Sequence, residues 1–153
     1  MFKINKLTDY ATVVLIEIAR NNAVRSSQYL SERTGIPLPT VAKLMKSLAK
    51  GGLVTSQRGA GGGYVLGRMP GAITIADVIQ AVEGPIALTA CADTSDEHCS
   101  IESVCPVQGK WNKVNTAVRA ALGEVTLADM AEDVDAFGMR PPAPVLTFDA
   151  KVD

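Results

Sequence analysis

The fold is decided by residues 35–66, which read GIPLPTVAKLMKSLAKGGLVTSQRGAGGGYVL. Two prolines bracket a tight connection at the start of this stretch, and Pro39 suits the first turn of a helix that runs to about Lys50. After this helix the hydrophobic period changes, and short strands are predicted at 53–56 and 64–66 on either side of a glycine-rich tip. The stretch therefore predicts a helix followed directly by a β-hairpin.

Two further helices are predicted upstream of this stretch. Apolar residues spaced three and four apart indicate an amphipathic helix over 8–21, with Thr8 or Asp9 as its N-cap. A second helix begins after Ser26 or Ser27 and stops at a glycine, which readily ends a helix in the left-handed conformation. Three helices and then a hairpin follow one another in this order in winged helix-turn-helix units.

The expected fold class is therefore mainly α with a small β-hairpin wing. Residues 1–70 are predicted to form the winged helix-turn-helix domain. Residues 71–105 are predicted to follow as a linking segment, with a capped amphipathic helix at 74–83 and then a loop without periodicity that contains all three cysteines.

A long helix suited to dimerisation is predicted to begin at Pro106, within a third part, residues 106–134, that ends in a short helix over 127–130. Its apolar residues alternate four and three apart, as in the seam of a coiled coil. They are Val107, Trp111, Val114, Val118, Ala121 and Val125. Residues 135–153 contain three prolines and are predicted to form a mobile tail.

The net charge of −1 hides an asymmetry between the two halves of the chain. Residues 1–70 carry ten lysines and arginines against three acidic residues, whereas residues 71–153 carry five against thirteen. Such a split suggests a basic face for a polyanion and a second half with another task.

Several classes of protein are not expected. No apolar run approaches the roughly 18–20 residues that cross a bilayer, and residues 1–6 lead straight into a periodic segment. We therefore expect no membrane span and no signal peptide, and a cytoplasmic location. The glycines at 59–63 lack the Lys-Ser/Thr of a phosphate-binding loop, and a single histidine offers no catalytic pairing, so an enzyme with a small-molecule substrate is not expected.

The third helix has the residues that reading of double-stranded DNA requires. A helix in the major groove presents small or polar side chains at its N-terminal end and cations toward the phosphates. Thr40 and Lys43 fit the first role, and Lys46 and Lys50 fit the second. Pro39, in the first turn, is predicted to lie at the same interface.

The second helix and the wing are predicted to add further DNA contacts. Ser27 and Gln28 can meet a phosphate with a hydroxyl and free backbone N–H groups, and Arg58 at the hairpin tip can enter a narrow minor groove. The remaining wing residues assigned to this interface are Gly61, Gly62 and Tyr64. The alternative from another class is a protein-binding adaptor that uses the wing as an interaction surface.

The three cysteines suggest a metal site. Cys91, Cys99 and Cys105 share one loop, their number is odd, and thiolates held close together repel unless a metal compensates. Their spacing lacks the paired knuckles of zinc sites, so it favours an iron–sulfur cluster, with zinc and a metal-free thiol switch as alternatives. His98 is one candidate for a fourth ligand. Nearby carboxylates are Asp93, Asp96, Glu97 and Glu102.

These motifs together resemble a known family. Residues 53–66 are similar to the wing of the IscR/NsrR/RirA family of bacterial transcription regulators. Residues 35–39, residues 73–78 and the three-cysteine loop follow in the order that family shows, so the resemblance covers about residues 1–130.

The resemblance implies a homodimeric transcription regulator whose long helices pack across the two-fold axis. It implies one iron–sulfur cluster per subunit, 2Fe–2S or 4Fe–4S, held by the three cysteines. Residues 6–9 resemble the nitric-oxide-sensing branch, in which an aspartate, here Asp9, completes the cluster from the partner subunit. The cluster-assembly branch instead uses a histidine three residues after the third cysteine, where this chain has Gln108.

These implications lead to a hypothesis of regulation. The regulator, a repressor in this hypothesis, binds a palindromic operator with half-sites about one helical turn apart. Cluster binding would order the cysteine loop, and loss of the cluster to nitric oxide, oxidation or iron scarcity would release it and change DNA affinity.

Overall fold

The computed structural model describes residues 3–20, 22–92 and 98–136, with side chains through residue 132. Residues 137–153 of the predicted tail and three of the loop carboxylates (Asp93, Asp96 and Glu97) lie outside the described residues, whereas residues 135 and 136, also predicted to belong to the tail, are helical. The helices are α1 (Lys6–Ala19), α2 (Ser27–Thr34), α3 (Leu38–Lys50), α4 (Ile75–Glu83), α5 (Trp111–Glu124) and α6 (Leu127–Ala136). No helix among the described residues is long and apolar enough to cross a membrane.

Helices α1 to α3 form the predicted three-helix unit. The Ser26 side chain accepts a hydrogen bond from the Tyr29 N–H at the start of α2, and Gly35 ends that helix with a left-handed φ of 73°. Both features confirm the prediction from sequence. The prediction that Thr8 or Asp9 is the N-cap of α1 was wrong, because Asn5 caps this helix. The Thr8 hydroxyl instead donates to the carboxylate of Glu83 in α4.

The wing is an antiparallel hairpin of β1 (Val54–Gln57) and β2 (Gly63–Leu66), in which Val54 pairs with Leu66 and Gln57 with Gly63. A third segment joins the far edge of β2. The Arg25 N–H donates to the Tyr64 carbonyl at 2.9 Å, and the Tyr64 N–H donates to the Arg25 carbonyl at 2.8 Å. The chain before α2 therefore ties the wing to the helical unit.

One hydrophobic core joins both halves of the chain. Leu15, Leu30 and Met45 lie in the same buried cluster as Val78 of α4 and Leu127 of α6. A backbone bridge between Thr74 and Thr126 brings the starts of α4 and α6 together. The mainly helical fold with a hairpin is as predicted, while the proposed domain boundaries stay a prediction.

Two helices differ from the prediction in length. Helix α5 begins at Trp111 rather than Pro106, because residues 105–110 form turns in which Gly109 has a left-handed φ of 70°. Helix α6 runs through Ala136, beyond the predicted residue 130. At its start the Thr126 backbone N–H, and then the Thr126 hydroxyl, donate to Asp129 and hold the pKa of that carboxyl below its ordinary value.

Candidate nucleic-acid interface and metal centre

Helix α3 separates its apolar and basic residues onto opposite faces. Its inner face is buried in the core, whereas Pro39, Lys43 and Lys46 are exposed and Thr40 is half-buried. Lys50 is exposed at the end of the same helix. The four buried residues are Val41, Leu44, Met45 and Leu48. The structure thus places the predicted DNA-reading residues of this helix on its outer side.

The wing presents an exposed arginine on a tight tip. The Gly62 N–H donates to the Gly59 carbonyl at 3.0 Å, and a Cβ added at Gly62 would lie 2.7 Å from the Gln57 carbonyl oxygen. Only glycine fits that position without a shift of the backbone. Arg58 and Gly61 are exposed at this tip. Tyr64 instead packs its side chain against the core.

The N-terminus of α2 lies beside the wing through the Arg25–Tyr64 bridge. Ser27 is half-buried and Gln28 is exposed there. The Gln28 amide donates to the Glu32 carboxylate at 3.1 Å, so in this conformation its side chain is engaged within the helix. Arg25 was not among the predicted site residues, since no local sequence pattern indicates its backbone pairing with β2.

Two arginines share one buried carboxylate. Arg20 and Arg33 both bind Glu17, which is 7% exposed, at 3.3 and 3.1 Å. The hydrogen bond and charge of Glu17 hold the pKa of the Arg33 guanidinium above its ordinary value. Across the described ranges, no carboxylate forms an ion pair with Lys43 or Arg58, which leaves their charge available to a polyanion.

The three cysteines are free thiols, each half-buried, in the segment between α4 and α5. The Thr89 hydroxyl lies 3.4 Å from the Cys91 sulfur. Cys99 lines an open cavity of about 400 Å³ together with Glu102 and Gln108, whose amide donates to the Glu102 carboxylate at 3.3 Å. His98 is exposed.

A buried amide ties the first part of this segment to α5. Asn115 is 3% exposed, its Nδ2 donates to the Ile86 carbonyl at 3.0 Å, and its Oδ1 accepts from the Leu88 N–H at 3.1 Å. Sequence reasoning missed Asn115. The available signal was an asparagine one residue after Val114 within an otherwise apolar stripe.

Asp9 is exposed on α1, next to the buried Thr8. The Thr8 hydroxyl donates to the carboxylate of Glu83, the last residue of α4 before the cysteine segment. The start of α1 is therefore held against the root of that segment. Asp9 itself forms no described contact with a cysteine of its own chain.

The three cysteine thiols have the right chemistry for an iron–sulfur cluster, but the structure does not place them together. Thiolates are the ligands that such clusters prefer. However, the described part of the chain contains no group of three or more His, Cys, Asp or Glu side chains placed to hold a metal ion.

Helix α5 leaves an apolar face uncovered within one chain. Trp111 and Val114 are 41% and 43% exposed. Val125, which was predicted to belong to the same helix, is its extended C-cap and is 39% exposed. Val107 was predicted to belong to the same helical seam, but it lies in the preceding turns. Burial of such a face against a second copy would remove apolar surface from water.

Comparison with known proteins decides the family. A family model described as Rrf2, an iron-dependent transcriptional regulator, matches residues 4–133. The chain belongs to the Rrf2 family. The HTH-type transcriptional regulator IscR of Xenorhabdus nematophila is 32% identical over 126 residues, which are 81% of this chain and 76% of that protein.

Two solved structures of Rrf2-type regulators have the same fold. T. potens IscR is 30% identical, with a TM-score of 0.65, and the match covers 92% of this chain and 93% of that one. CymR (YrzC), the global cysteine regulator of B. subtilis, is 32% identical, with a TM-score of 0.65 and coverage of 86% and 97%.

These matches confirm the family resemblance and the winged-helix fold. This Rrf2-family chain is therefore a DNA-binding transcriptional regulator, and its relatives carry the names of regulators rather than enzymes.

Proposed function

We propose that this Rrf2-family regulator binds a palindromic operator as a homodimer and that an iron–sulfur cluster controls the binding. The proposed ligands are Cys91, Cys99 and Cys105, with Asp9 of the partner subunit. The observation that carries the proposal is the position of the three half-buried thiols in the chain. They lie between α4, which packs on the DNA-reading helix, and α5, whose apolar face is uncovered.

The DNA contacts follow from the exposed cations of the first unit. Helix α3 enters the major groove, where Thr40 and Lys43 meet base edges and Lys46 meets phosphates. The tight glycine tip carries Arg58 into the adjacent minor groove, whose negative potential favours a guanidinium. Ser27 and Gln28 meet the backbone at the N-terminus of α2. For Gln28 this requires release of its bond to Glu32.

The apolar face of α5 supports the homodimer. Trp111 and Val114 are more exposed than residues of a folded core normally are. Pairing of two such faces about a two-fold axis would set the distance between two wings, and therefore the spacing of two half-sites.

The coupling between the cysteines and DNA runs through two fixed contacts. When bound, the cluster would join the three thiolates and reduce the freedom of their loop. Asn115 transmits the position of that loop to α5 through Ile86 and Leu88. The Thr8–Glu83 hydrogen bond holds the start of α1 at the root of the loop. A loop with two states would thus bias the geometry of the two wings.

The proposal is tested by measuring DNA affinity with the cluster bound to the cysteines and after the cluster has been removed. Protein purified without oxygen is titrated onto a duplex that the wild type selected from a random pool, before and after removal of iron by a chelator. We expect visible absorbance, and an operator affinity that changes at least tenfold when the absorbance is lost, on the order of 1.4 kcal/mol. Cys99→Ser should abolish both the absorbance and this response.

Ser100→Ala provides the matched control, because it changes the neighbouring residue of the same loop and should preserve both properties. An unchanged affinity after loss of the colour would contradict cluster control. If the protein bound unrelated duplexes as tightly as the selected duplex, the proposal of a specific operator would be contradicted.

A metal-free thiol switch is the second candidate. The cysteines are not brought together among the described residues, and one similar structure is that of a protein named a cysteine regulator. A colourless protein whose DNA affinity responds to thiol oxidation would establish this candidate in place of the first. One zinc per chain would instead establish a zinc-containing regulator.

A further inference from the structure

We propose that Arg25 binds a phosphate of the DNA backbone at the junction of the wing and α2. The inference rests on the proposed DNA interface and adds to it a cation that lies between two of its elements. Arg25 is neither on the DNA-reading helix nor on the wing tip, and no helical or strand pattern in the sequence indicates it.

The backbone of Arg25 is fixed on both sides. It pairs with Tyr64 of β2 through hydrogen bonds of 2.9 and 2.8 Å. A Cβ added at Gly63 would lie 2.4 Å from the Arg25 carbonyl oxygen, which shows how closely the two segments approach. One residue later, Ser26 caps α2. Arg25 therefore moves with both the wing and the N-terminus of α2.

The side chain of Arg25 is also held in place. Its guanidinium carbon lies 4.3 Å from the centre of the Tyr29 ring in the first turn of α2. Stacking of this kind lowers the entropy lost when the cation later binds an anion. The charge is thus held at the first turn of α2, and the N-terminus of a helix itself favours an anion.

The guanidinium lacks the partners that a structural arginine usually has. Its Nε–H is buried and donates to no acceptor among the described residues. No carboxylate in the described part of the chain forms an ion pair with it, in contrast to Arg20, Arg33 and Arg68. The charge of Arg25 therefore has no counter-ion among the described residues, and a bound anion would supply one.

A phosphate of the DNA backbone would be such an anion. It matches the planar fork of a guanidinium, can be bound through the Nη groups while Nε stays buried, and would neutralise the charge. The contact positions the protein on the backbone and does not read sequence. It should therefore strengthen binding to all duplexes by the same factor.

The test is the salt dependence of DNA binding. Affinities of wild type and Arg25→Gln are measured from about 50 to 200 mM salt on the selected operator and on a random duplex, and thermal midpoints are recorded in parallel. Loss of one phosphate contact should lower the slope of log affinity against log salt by about 0.9. The ratio of the DNA affinity of the wild type to that of Arg25→Gln should then fall about three- to fourfold from the lowest to the highest salt concentration, equally on both duplexes.

Matched variants separate the phosphate contact from other effects. Arg25→Lys keeps the charge and should keep the slope. Arg119→Gln removes one charge from an exposed position of α5 and should leave the slope as in the wild type. Should Arg25→Gln fail to fold, Arg25→Met replaces it, since methionine keeps an aliphatic stem over Tyr29.

An Arg25→Gln slope equal to that of the wild type would overturn the proposal, even with a lower thermal midpoint, because Arg25 would then only support the wing. An equal loss of slope in Arg119→Gln would overturn it as well. A wild type with no steep salt dependence would overturn the proposed DNA interface itself, which distinguishes the two failures.

Discussion

Asn115→Asp should convert a neutral buried contact into a pH-sensitive one. The asparagine accepts from the Leu88 N–H and donates to the Ile86 carbonyl, and it is 3% exposed. An aspartate can still accept from Leu88. Its second oxygen, however, would face the Ile86 carbonyl oxygen at the position of the present 3.0 Å bond, and only the protonated acid can donate there.

The expected loss of stability has two sources, the hydrogen bond to Ile86 and the burial of a negative charge. The lost hydrogen bond is worth about 0.5–1.5 kcal/mol. Burial and the facing carbonyl should raise the pKa of the new carboxyl above its unfolded value of about 3.9, and each unit of that rise costs about 1.4 kcal/mol at neutral pH. A decrease of about 2–4 kcal/mol in the free energy of unfolding is therefore expected at neutral pH.

The sign of the pH dependence is opposite to that of a carboxylate in an ion pair. Because the folded state would bind the proton more tightly than the unfolded state, the variant loses stability as the pH rises from about 3.9 through the raised pKa. Below that window the protonated acid can donate to Ile86 as the amide does. The difference from the wild type should therefore shrink in acid.

Urea unfolding at neutral and acidic pH measures this directly, at one protein concentration because dimerisation adds to stability. Asn5→Asp is the control, since Asn5 is exposed and its oxygen only accepts a bond from Leu7, which a carboxylate also does. The reasoning is refuted if Asn115→Asp loses the same stability at both pH values, or no more than Asn5→Asp.

Three further predictions concern the wing and the cluster. Gly63→Ala should separate the wing from residue 25, because the added Cβ meets the Arg25 carbonyl oxygen at 2.4 Å. A lower thermal midpoint with weaker DNA binding is expected, and an unchanged midpoint would count against it. Arg58→Ala should weaken operator binding by about 1–3 kcal/mol in a titration, and equal affinity would remove the wing tip from the interface. Asp9→Ala should leave a bound cluster that is lost faster to a chelator, and an unaltered rate of loss would assign the fourth ligand elsewhere.

Local features of the fold could be predicted from the sequence. The Ser26 cap, the end of α2 at Gly35 and the hairpin after α3 depend on residues within a few positions of one another. Their spacing in the sequence therefore carries the information. The exposed lysines of α3 could be predicted in the same way, because the helical spacing of the apolar residues that face the core shows which residues face outward.

The parts that sequence reasoning missed depend on distant contacts. Thr8 has the chemistry of an N-cap, but its hydroxyl is used by Glu83, so Asn5 takes that role. Asn115 and Arg25 gain their importance from Ile86 and Tyr64, which lie far along the chain. No periodicity or short motif records such pairings.

The most direct test of the iron–sulfur assignment, on which the proposed control depends, is a native mass spectrum of protein purified without oxygen, recorded with its visible absorbance. A dimer whose excess mass equals one iron–sulfur cluster per chain is expected, and this mass should disappear with Cys91→Ala, Cys99→Ala or Cys105→Ala. A colourless dimer with no excess mass, or with one zinc per chain, would contradict the iron–sulfur assignment.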